Sequence, residues 1–237
     1  MPPTSRRSAR PRLLIVILAA ASVVALGDDE AGRVLAPDIN AYYHGADHDR
    51  WRDVFESPGR EVFDRRFQVA AALDLRPGMD VADIGAGTGL YTLLFARAVR
   101  PGGKVFAVDI SESFVDGIMA RTAEVKVDNV VPVVNRPRSA GLPPASIDLA
   151  FMADTYHHFE FPQAMLASIH QALRPGGILA IIDFRRMPGV SNGWIMSHVR
   201  AGREQVIAEF EQAGFRLLDE PVLLRTNYFL RFRKVDA

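Results

Sequence analysis

The sequence predicts an α/β fold with a doubly wound, mostly parallel sheet of seven strands. An apolar run at residues 79–84 ends in three glycines spaced by two, and the amphipathic stretch 90–99 follows at once. This order predicts a strand, a tight turn and a helix. Apolar strand patterns then alternate with helical ones, which is typical of a parallel sheet covered by helices. Two apolar runs joined by a short turn at residues 225–227 predict a terminal hairpin, whose strands are antiparallel.

The elements are predicted in order along the chain. Residues 28–75 are polar and aromatic-rich and include a helix at about 60–73, so we expect a lid and helix there and the sheet-bearing domain at 76–237. The strands are predicted at residues 79–84, 104–109, 130–134, 147–153, 177–183, 215–223 and 226–233. The helices after the first strand are predicted at residues 90–99, 112–124, 162–173 and 203–213.

The charge composition argues against a protein that binds nucleic acid. The 237 residues contain 28 basic and 28 acidic side chains, and four of the arginines precede residue 28. The remainder therefore has 24 basic and 28 acidic side chains, whereas binding of nucleic acid usually needs a basic face. The absence of cysteine excludes disulfides, thiolate metal sites and a cysteine-linked lipid anchor.

Residues 1–27 have the charge order of an export signal. Basic residues up to Arg12 precede the apolar run 13–26, and Gly27-Asp-Asp-Glu follows. This order predicts a secretory signal peptide cleaved near Gly27. An uncleaved segment would instead associate with the membrane surface, because this run is shorter than the roughly twenty residues that span a bilayer. We expect an exported (periplasmic or secreted) or membrane-anchored protein; the alternative is a disordered basic tail followed by a buried helix.

The glycine turn and the acids around it indicate a ligand site. Gly85, Gly87 and Gly89 let the backbone turn sharply and expose amides at a helix N-terminus, where anionic groups are favoured. Asp109 ends the second strand, where an acid accepts hydrogen bonds from ribose hydroxyls. A dinucleotide fingerprint needs its third glycine one residue later, and Asp83 would face the pyrophosphate of that ligand. A ligand that carries an ammonium group suits Asp83 better.

This motif resembles motif I and the acidic ribose position of the class I S-adenosylmethionine-dependent methyltransferases. The resemblance covers about residues 47–232 and includes Leu-x-Pro-Gly turns and an Asp-x-Tyr-His-His loop at 154–158, which a bacterial methyltransferase-domain group carries. It implies a Rossmann-like fold whose last strand inserts antiparallel, and S-adenosyl-L-methionine as cofactor. The implied cofactor-binding residues are Asp83, Gly85, Gly87, Gly89, Asp109 and Asp154.

Catalytic residues are expected in the loop after the fourth strand. His157 and His158 are candidates for a general base, because histidine titrates near neutrality. Alternatively, one of them stacks on the cofactor while the other packs against or caps the next helix. Tyr156 either hydrogen-bonds the substrate or closes the pocket. His198 either lines the acceptor side or is exposed.

The resemblance does not imply a metal site. Asp154 and Asp183 stand where catechol-type relatives hold magnesium, but Phe184 occupies the place of the asparagine that completes that site. We therefore expect no metal.

Two further segments are open to interpretation. A polar cluster before the sheet has conceivable metal spacing, but a lid over the cofactor, anchored by Trp51 and Phe55, is favoured; the cluster comprises Tyr42, Tyr43, His44, Asp47, His48 and Asp49. Residues 135–139 lack the acid that relatives usually place near adenine, so contacts there would come from the backbone or Arg138.

Two functional hypotheses follow from these observations. The first is an enzyme that transfers a methyl group from S-adenosylmethionine to a small-molecule acceptor. The second is a non-catalytic binding or assembly protein that keeps the fold, because a fold does not fix a function. Methyl transfer from labelled cofactor that is lost in an Asp83→Ala variant would favour the enzyme.

Overall fold

The computed structural model describes residues 31–36 and 39–235. The predicted export segment, residues 1–27, lies outside the described residues. Within the described part of the chain, no helix is both long enough and apolar enough to cross a bilayer.

The strands form a single seven-stranded sheet. They are β1 Val81–Ile84, β2 Val105–Asp109, β3 Val130–Val134, β4 Ile147–Ala153, β5 Leu173–Phe184, β6 Phe215–Asp219 and β7 Asn227–Lys234. Their order in the sheet is β3-β2-β1-β4-β5-β7-β6. Strands β1 to β5 run parallel, and β7 inserts antiparallel between β5 and β6. The predicted fold class is confirmed, and the strand order reverses between β1 and β4, where such sheets open a crevice.

The helices pack around this sheet and in the segment before it. They are α1 His48–Phe55, α2 Glu61–Asp64, α3 Arg66–Ala72, α4 Leu90–Ala98, α5 Glu112–Glu124, α6 Pro162–Ala172, α7 Gly193–His198 and α8 Arg203–Gln212, and a short 3₁₀ turn covers Tyr156–His158. The helix predicted at 60–73 is two helices, because Arg65 between them leaves the helical region with φ −100° and ψ 12°. β6 ends earlier than predicted, before Pro221, which has no N–H to donate to a strand ladder.

Two short helices were not predicted, although each begins at a capping side chain. The Asp47 carboxylate accepts hydrogen bonds from the backbone of Asp49 and Arg50 at the start of α1. The Asn192 side chain accepts one from Ile195 at the start of α7. Asp and Asn at such positions are the sequence signal that marked both helices.

The sheet is buried on both faces, as parallel sheets are. Successive residues of β5 and β7 alternate between two apolar clusters, as strand geometry requires. Ile181 and Leu230 pack into one cluster, and Ile182 and Phe229 pack into the other. This packing holds the strands rigidly, so the loops at their carboxyl ends are positioned by the core.

Candidate functional site

A cavity of about 690 Å³ opens at the carboxyl ends of the parallel strands. It is bordered by the ends of β1, β2, β4 and β5, by side chains between residues 39 and 62, and by α7. Its volume falls within the roughly 300–1,000 Å³ of small-molecule sites. Its position is the crevice where the strand order reverses, which is where doubly wound sheets bind ligands.

The turn after β1 has the geometry that its glycines predict. Gly85 and Gly87 have φ values of 69° and 54°, a region that glycine adopts without strain. A side chain at Gly85 would overlap Thr155, whereas one at Gly87 would lie 3.5 Å from the Phe55 ring on the cavity wall. The turn leads directly into α4, whose N-terminus favours a negatively charged group.

Two buried acids flank this turn. Asp83 is 3% exposed, and its Oδ2 atom accepts a hydrogen bond of 2.6 Å from the Thr92 hydroxyl. Asp109 accepts from the backbone N–H of Gly87 at 2.8 Å and of Ser111 at 2.9 Å. Burial raises the pKa of Asp83 to about 7 and that of Asp109 to about 6. A ligand that brings positive charge or hydrogen-bond donors would stabilise the ionised forms of both carboxylates, because burial alone disfavours those forms.

Asp154 lines the cavity but is engaged by the protein. Its two carboxylate oxygens accept hydrogen bonds from Arg60 at 2.7 Å and from Asn227 at 2.6 Å. Its backbone is left-handed, with φ +50°. Asp154 therefore joins the N-terminal segment, β4 and β7, and its assignment to the cofactor stays a prediction.

His157 and His158 both line the cavity. The Nδ1 atom of His157 lies 2.7 Å from a carboxylate oxygen of Asp183, and the His157 ring is almost fully buried. Burial lowers the pKa of His157, but the Asp183 carboxylate outweighs it, so the net pKa is raised. Burial and the imidazoles of His157 and His198 lower the pKa of His158 to about 3. Of the two candidates, His157 is the one that the structure orients and makes more basic.

Tyr156 does not border the cavity. Its ring is 1% exposed, and its hydroxyl donates a hydrogen bond to Glu209. Arg200 holds the same carboxylate through two hydrogen bonds of 2.6 and 2.8 Å. Burial raises the pKa of Tyr156 further above its usual value. The predicted contact between Tyr156 and substrate is therefore corrected: its side chain is part of a core network with α8.

The N-terminal segment covers the side of the cavity that carries the glycine turn. The rings of Tyr43, Trp51 and Phe55 pack against one another with centroids 4.9–6.5 Å apart. The Ser111 hydroxyl donates to the backbone carbonyl of Tyr43 at 2.5 Å, and a ring nitrogen of His48 lies 3.3 Å from the Thr88 carbonyl. These contacts hold the segment beside the glycine turn, and its role as a lid over a cofactor stays a prediction.

Sequence reasoning missed the ion pair that fastens this segment to the glycine turn. Glu56 at the end of α1 accepts hydrogen bonds from the Thr88 hydroxyl at 2.8 Å and from the Arg121 guanidinium at 2.5 and 3.2 Å. Arg121 also donates to the Thr88 carbonyl at 2.6 Å. No local pattern signals this contact, because the three residues come from distant parts of the chain.

The opposite side of the cavity carries an aromatic group on α7. The rings of Trp194 and His198 stack with centroids 4.6 Å apart, and Trp194 also contacts Phe184 edge-on. All three side chains border the cavity, which favours the interpretation of His198 as a residue of the acceptor side. Trp194 is 54% exposed, so this wall is accessible from solvent.

In the segment after β3, Asn135 and Pro137 border the cavity. The Arg138 guanidinium lies 3.8 Å over the Phe161 ring.

Residues 82–181 match a family model described as a methyltransferase domain. The chain is 29% identical over 157 residues to nocamycin O-methyltransferase of Saccharothrix syringae, covering 65% of this chain and 55% of that protein. It is also 29% identical over 155 residues to the ubiquinone/menaquinone biosynthesis C-methyltransferase UbiE of Burkholderia cenocepacia, covering 64% of this chain and 62% of that protein.

A solved structure is similar over a larger share of the chain. The S-adenosylmethionine-dependent methyltransferase of Aquifex aeolicus superposes with a TM-score of 0.70 at 25% identity, covering 80% of this chain and 99% of that one. The chain spans less than two thirds of the length of the two curated relatives described above.

Proposed function

We propose that the protein transfers the methyl group of S-adenosylmethionine to a small-molecule acceptor, because residues 82–181 match a methyltransferase-domain model and the fold is that of the class I S-adenosylmethionine-dependent methyltransferases. The observation that carries this proposal is the pair of buried acids, Asp83 and Asp109, on either side of the open glycine turn. The residues fit the cofactor, since a side chain at Gly87 would enter the space beside the Phe55 ring on the cavity wall, and an ionised Asp83 would be a buried charge without a cationic partner in the described structure.

Each part of the turn has a role in binding. Asp83 favours the ammonium end of the cofactor, and Asp109 accepts hydrogen bonds from the ribose hydroxyls. The N-terminus of α4, which follows the turn at once, favours the carboxylate. The aromatic rings of Tyr43 and Phe55 exclude water from this side of the cavity. When bound, the cofactor supplies an electrophilic methyl group.

Transfer then depends mainly on alignment in the cavity. Orientation of two reactants contributes about 7–11 kcal/mol, whereas a general base contributes roughly 10²–10⁴-fold. His157, held by Asp183, is positioned to take a proton from an acceptor in the part of the cavity lined by Trp194 and His198. The relatives named as O- and C-methyltransferases support a small-molecule acceptor, and the charge composition argues against a nucleic-acid substrate.

Calorimetric titration of the full-length protein tests the binding half of the proposal. S-adenosylmethionine and its demethylated product should both bind, and NAD should not. Asp83→Ala should weaken binding, and Asp53→Ala, an exposed acid on α1, serves as the matched control. NAD binding without S-adenosylmethionine binding would overturn the proposal.

A labelled-methyl screen with pools of small molecules separates the enzyme from a non-catalytic binding protein. Transfer that disappears in Asp83→Ala supports the enzyme. Cofactor binding with no transfer to any pool supports the binding protein instead.

We also propose that residues 13–26 direct the protein out of the cytosol or hold it at a membrane, on the strength of the basic, apolar and acidic order of residues 1–30. Mass spectrometry of the natively expressed protein, with fractionation, tests this. An intact N-terminus in a soluble cytosolic fraction would contradict both forms of the proposal.

A further inference from the structure

Three histidine rings converge at the acceptor end of the cavity. His157 and His158 belong to the 3₁₀ turn after β4, and His198 ends α7. Their ring centroids lie 4.3, 5.2 and 5.0 Å apart in pairs. One ring nitrogen from each residue lies within 4.8 Å of the other two. Among residues 31–36 and 39–235, these three histidines form the group of three or more His, Asp or Glu side chains whose spacing could hold a metal ion.

Hydrogen bonding around the first two rings leaves a nitrogen of His157 and a nitrogen of His158 available as ligands. Nδ1 of His157 is held by Asp183 at 2.7 Å, so its Nε2 is the nitrogen left to bind. A carboxylate behind a histidine is the arrangement that orients metal-binding imidazoles and increases their basicity. Nδ1 of His158 is buried and has no hydrogen-bond partner within the described structure. A buried polar atom without a partner is costly, and a ligand would relieve that cost.

We propose that His157, His158 and His198 bind a divalent transition metal ion, with Zn²⁺ the best match. Three protein nitrogens with one open coordination position is the donor set of catalytic zinc sites. Imidazole nitrogen is also a ligand that suits zinc better than magnesium or calcium, which prefer oxygen. Bonds of about 2.0–2.1 Å would require the three nitrogens to approach more closely than they do here. Rotation of the partly exposed His198 side chain can supply this movement.

This site differs from the one that the sequence excluded. A magnesium site of the catechol type would use Asp154 and Asp183 as direct ligands, and in the structure both acids are engaged by protein partners. In the present proposal Asp183 acts behind His157 rather than on the metal. The open position faces the cavity shared with the glycine turn, because all three histidines border it.

The site narrows the class of acceptor, and this step rests on the proposed function. A metal ion lowers the pKa of a bound hydroxyl or thiol. With the metal bound, Nε2 of His157 would be a ligand and could not act as the base, so an acceptor O–H or S–H held there would release its proton to solvent. The oxygen or sulfur would then form a bond to the methyl carbon while the bond from carbon to the cofactor sulfur breaks and leaves its electron pair on that sulfur. We therefore infer an acceptor with a hydroxyl or thiol group.

Metal titration of the chelator-treated full-length protein tests the site without any assay of activity. We expect one equivalent of Zn²⁺ to bind, and Co²⁺ to give the visible absorption of a four-coordinate nitrogen site that Zn²⁺ displaces. His198→Gln should weaken Zn²⁺ binding at least a hundredfold, and Asp183→Asn by about 10–100-fold. His170→Gln is the matched control, because His170 lies outside the cluster and bonds to the Val235 carbonyl.

The same variants titrated with S-adenosylmethionine separate this proposal from the proposed function. His198→Gln should bind the cofactor as the parent protein does, which also shows that the variant is folded. Absence of stoichiometric Zn²⁺ binding, or equal Zn²⁺ affinity in His198→Gln and the parent, would overturn the metal site. Failure of cofactor binding alongside normal Zn²⁺ binding would overturn only the proposed function and the inferred acceptor class.

Discussion

The Oδ2 atom of Asp109 accepts a hydrogen bond of 2.8 Å from the backbone N–H of Gly87. This contact joins the end of β2 to the glycine turn after β1. The other carboxylate oxygen of Asp109 accepts a hydrogen bond from the backbone N–H of Ser111 at the start of α5. Asp109 therefore shapes the turn and supports a helix, in addition to its proposed role toward the ribose.

Replacement of Asp109 separates these roles. Asp109→Asn keeps one side-chain oxygen as an acceptor but loses the charge, and charge-assisted hydrogen bonds are worth about 1.5–3 kcal/mol each. We expect the affinity for S-adenosylmethionine to fall more than tenfold while the protein stays folded. Calorimetric titration and circular dichroism measure the two effects. Unchanged affinity in a folded variant would remove Asp109 from the cofactor site.

The buried Asp83 carboxyl predicts a stability that falls as pH rises. Burial raises its pKa in the folded protein to about 7, whereas the unfolded chain releases this proton near pH 3.9, roughly the usual value. Between these values the folded state holds more protons than the unfolded state, so stability is lost with rising pH. The free energy of unfolding should be about 1.4 kcal/mol lower at pH 8 than at pH 6 from this group.

Urea unfolding of the cofactor-free protein at the two pH values measures this difference. Asp83→Asn is the control, because its amide can still accept from Thr92 but has no proton to lose. The variant should therefore show a smaller change between pH 6 and pH 8. An identical change in both proteins would contradict a raised pKa of Asp83.

Replacement by alanine should have different effects at two glycines of the turn. At Gly87 an added Cβ meets Phe55 at ordinary contact distance, so Gly87→Ala should cost only the left-handed backbone strain of about 1–2 kcal/mol. Its effect should appear as weaker cofactor binding. At Gly85 the Cβ overlaps Thr155, so Gly85→Ala should destabilise the fold more strongly. Thermal unfolding of both variants measures this order, and the reverse order would contradict the geometry of the turn.

Glu56 should control how fast the cofactor leaves. Glu56→Gln keeps the side chain's size but removes the charge that holds Arg121 and Thr88. If about 1.4 kcal/mol of this contact is lost, dissociation of S-adenosylmethionine should be about tenfold faster. Stopped-flow fluorescence of Trp51 in a Trp194→Phe background measures the rate.

The exposed Asp53 on the same helix provides the control for Glu56. Asp53→Asn removes one charge from α1 without touching the glycine turn, so the dissociation rate should stay at the parent value. Equal rates in the Glu56 and Asp53 variants would show that the ion pair does not hold the lid.

Tyr156 should matter for stability rather than turnover. Tyr156→Phe removes the donor to the Glu209 carboxylate, which should cost about 1–3 kcal/mol of unfolding free energy. Tyr228→Phe is the matched control, because the Tyr228 hydroxyl is buried and lacks a hydrogen-bond partner within the described structure. That variant should be neutral or stabilising. A turnover loss in Tyr156→Phe without a stability loss would restore Tyr156 to the active site.

The sequence by itself determined the fold class and the glycine turn. Strand and helix patterns are local, and the left-handed backbone at Gly85 and Gly87 is a property of glycine. The positions of Asp83 and Asp109 followed as well, because parallel strands bring their carboxyl ends to one edge. Capping residues marked α1 and α7, although the pattern of apolar residues did not.

The tertiary structure alone decided the direction and partners of the polar side chains. Sequence placed Tyr156 beside His157, but in the structure one points into the core and the other borders the cavity. The pairing of Asp154 with Arg60 spans 94 residues, and His198 reaches His157 only through the position of α7. Such contacts depend on how whole elements pack, and a buried polar group takes whichever partner that packing provides. Local sequence patterns carry no information about that choice.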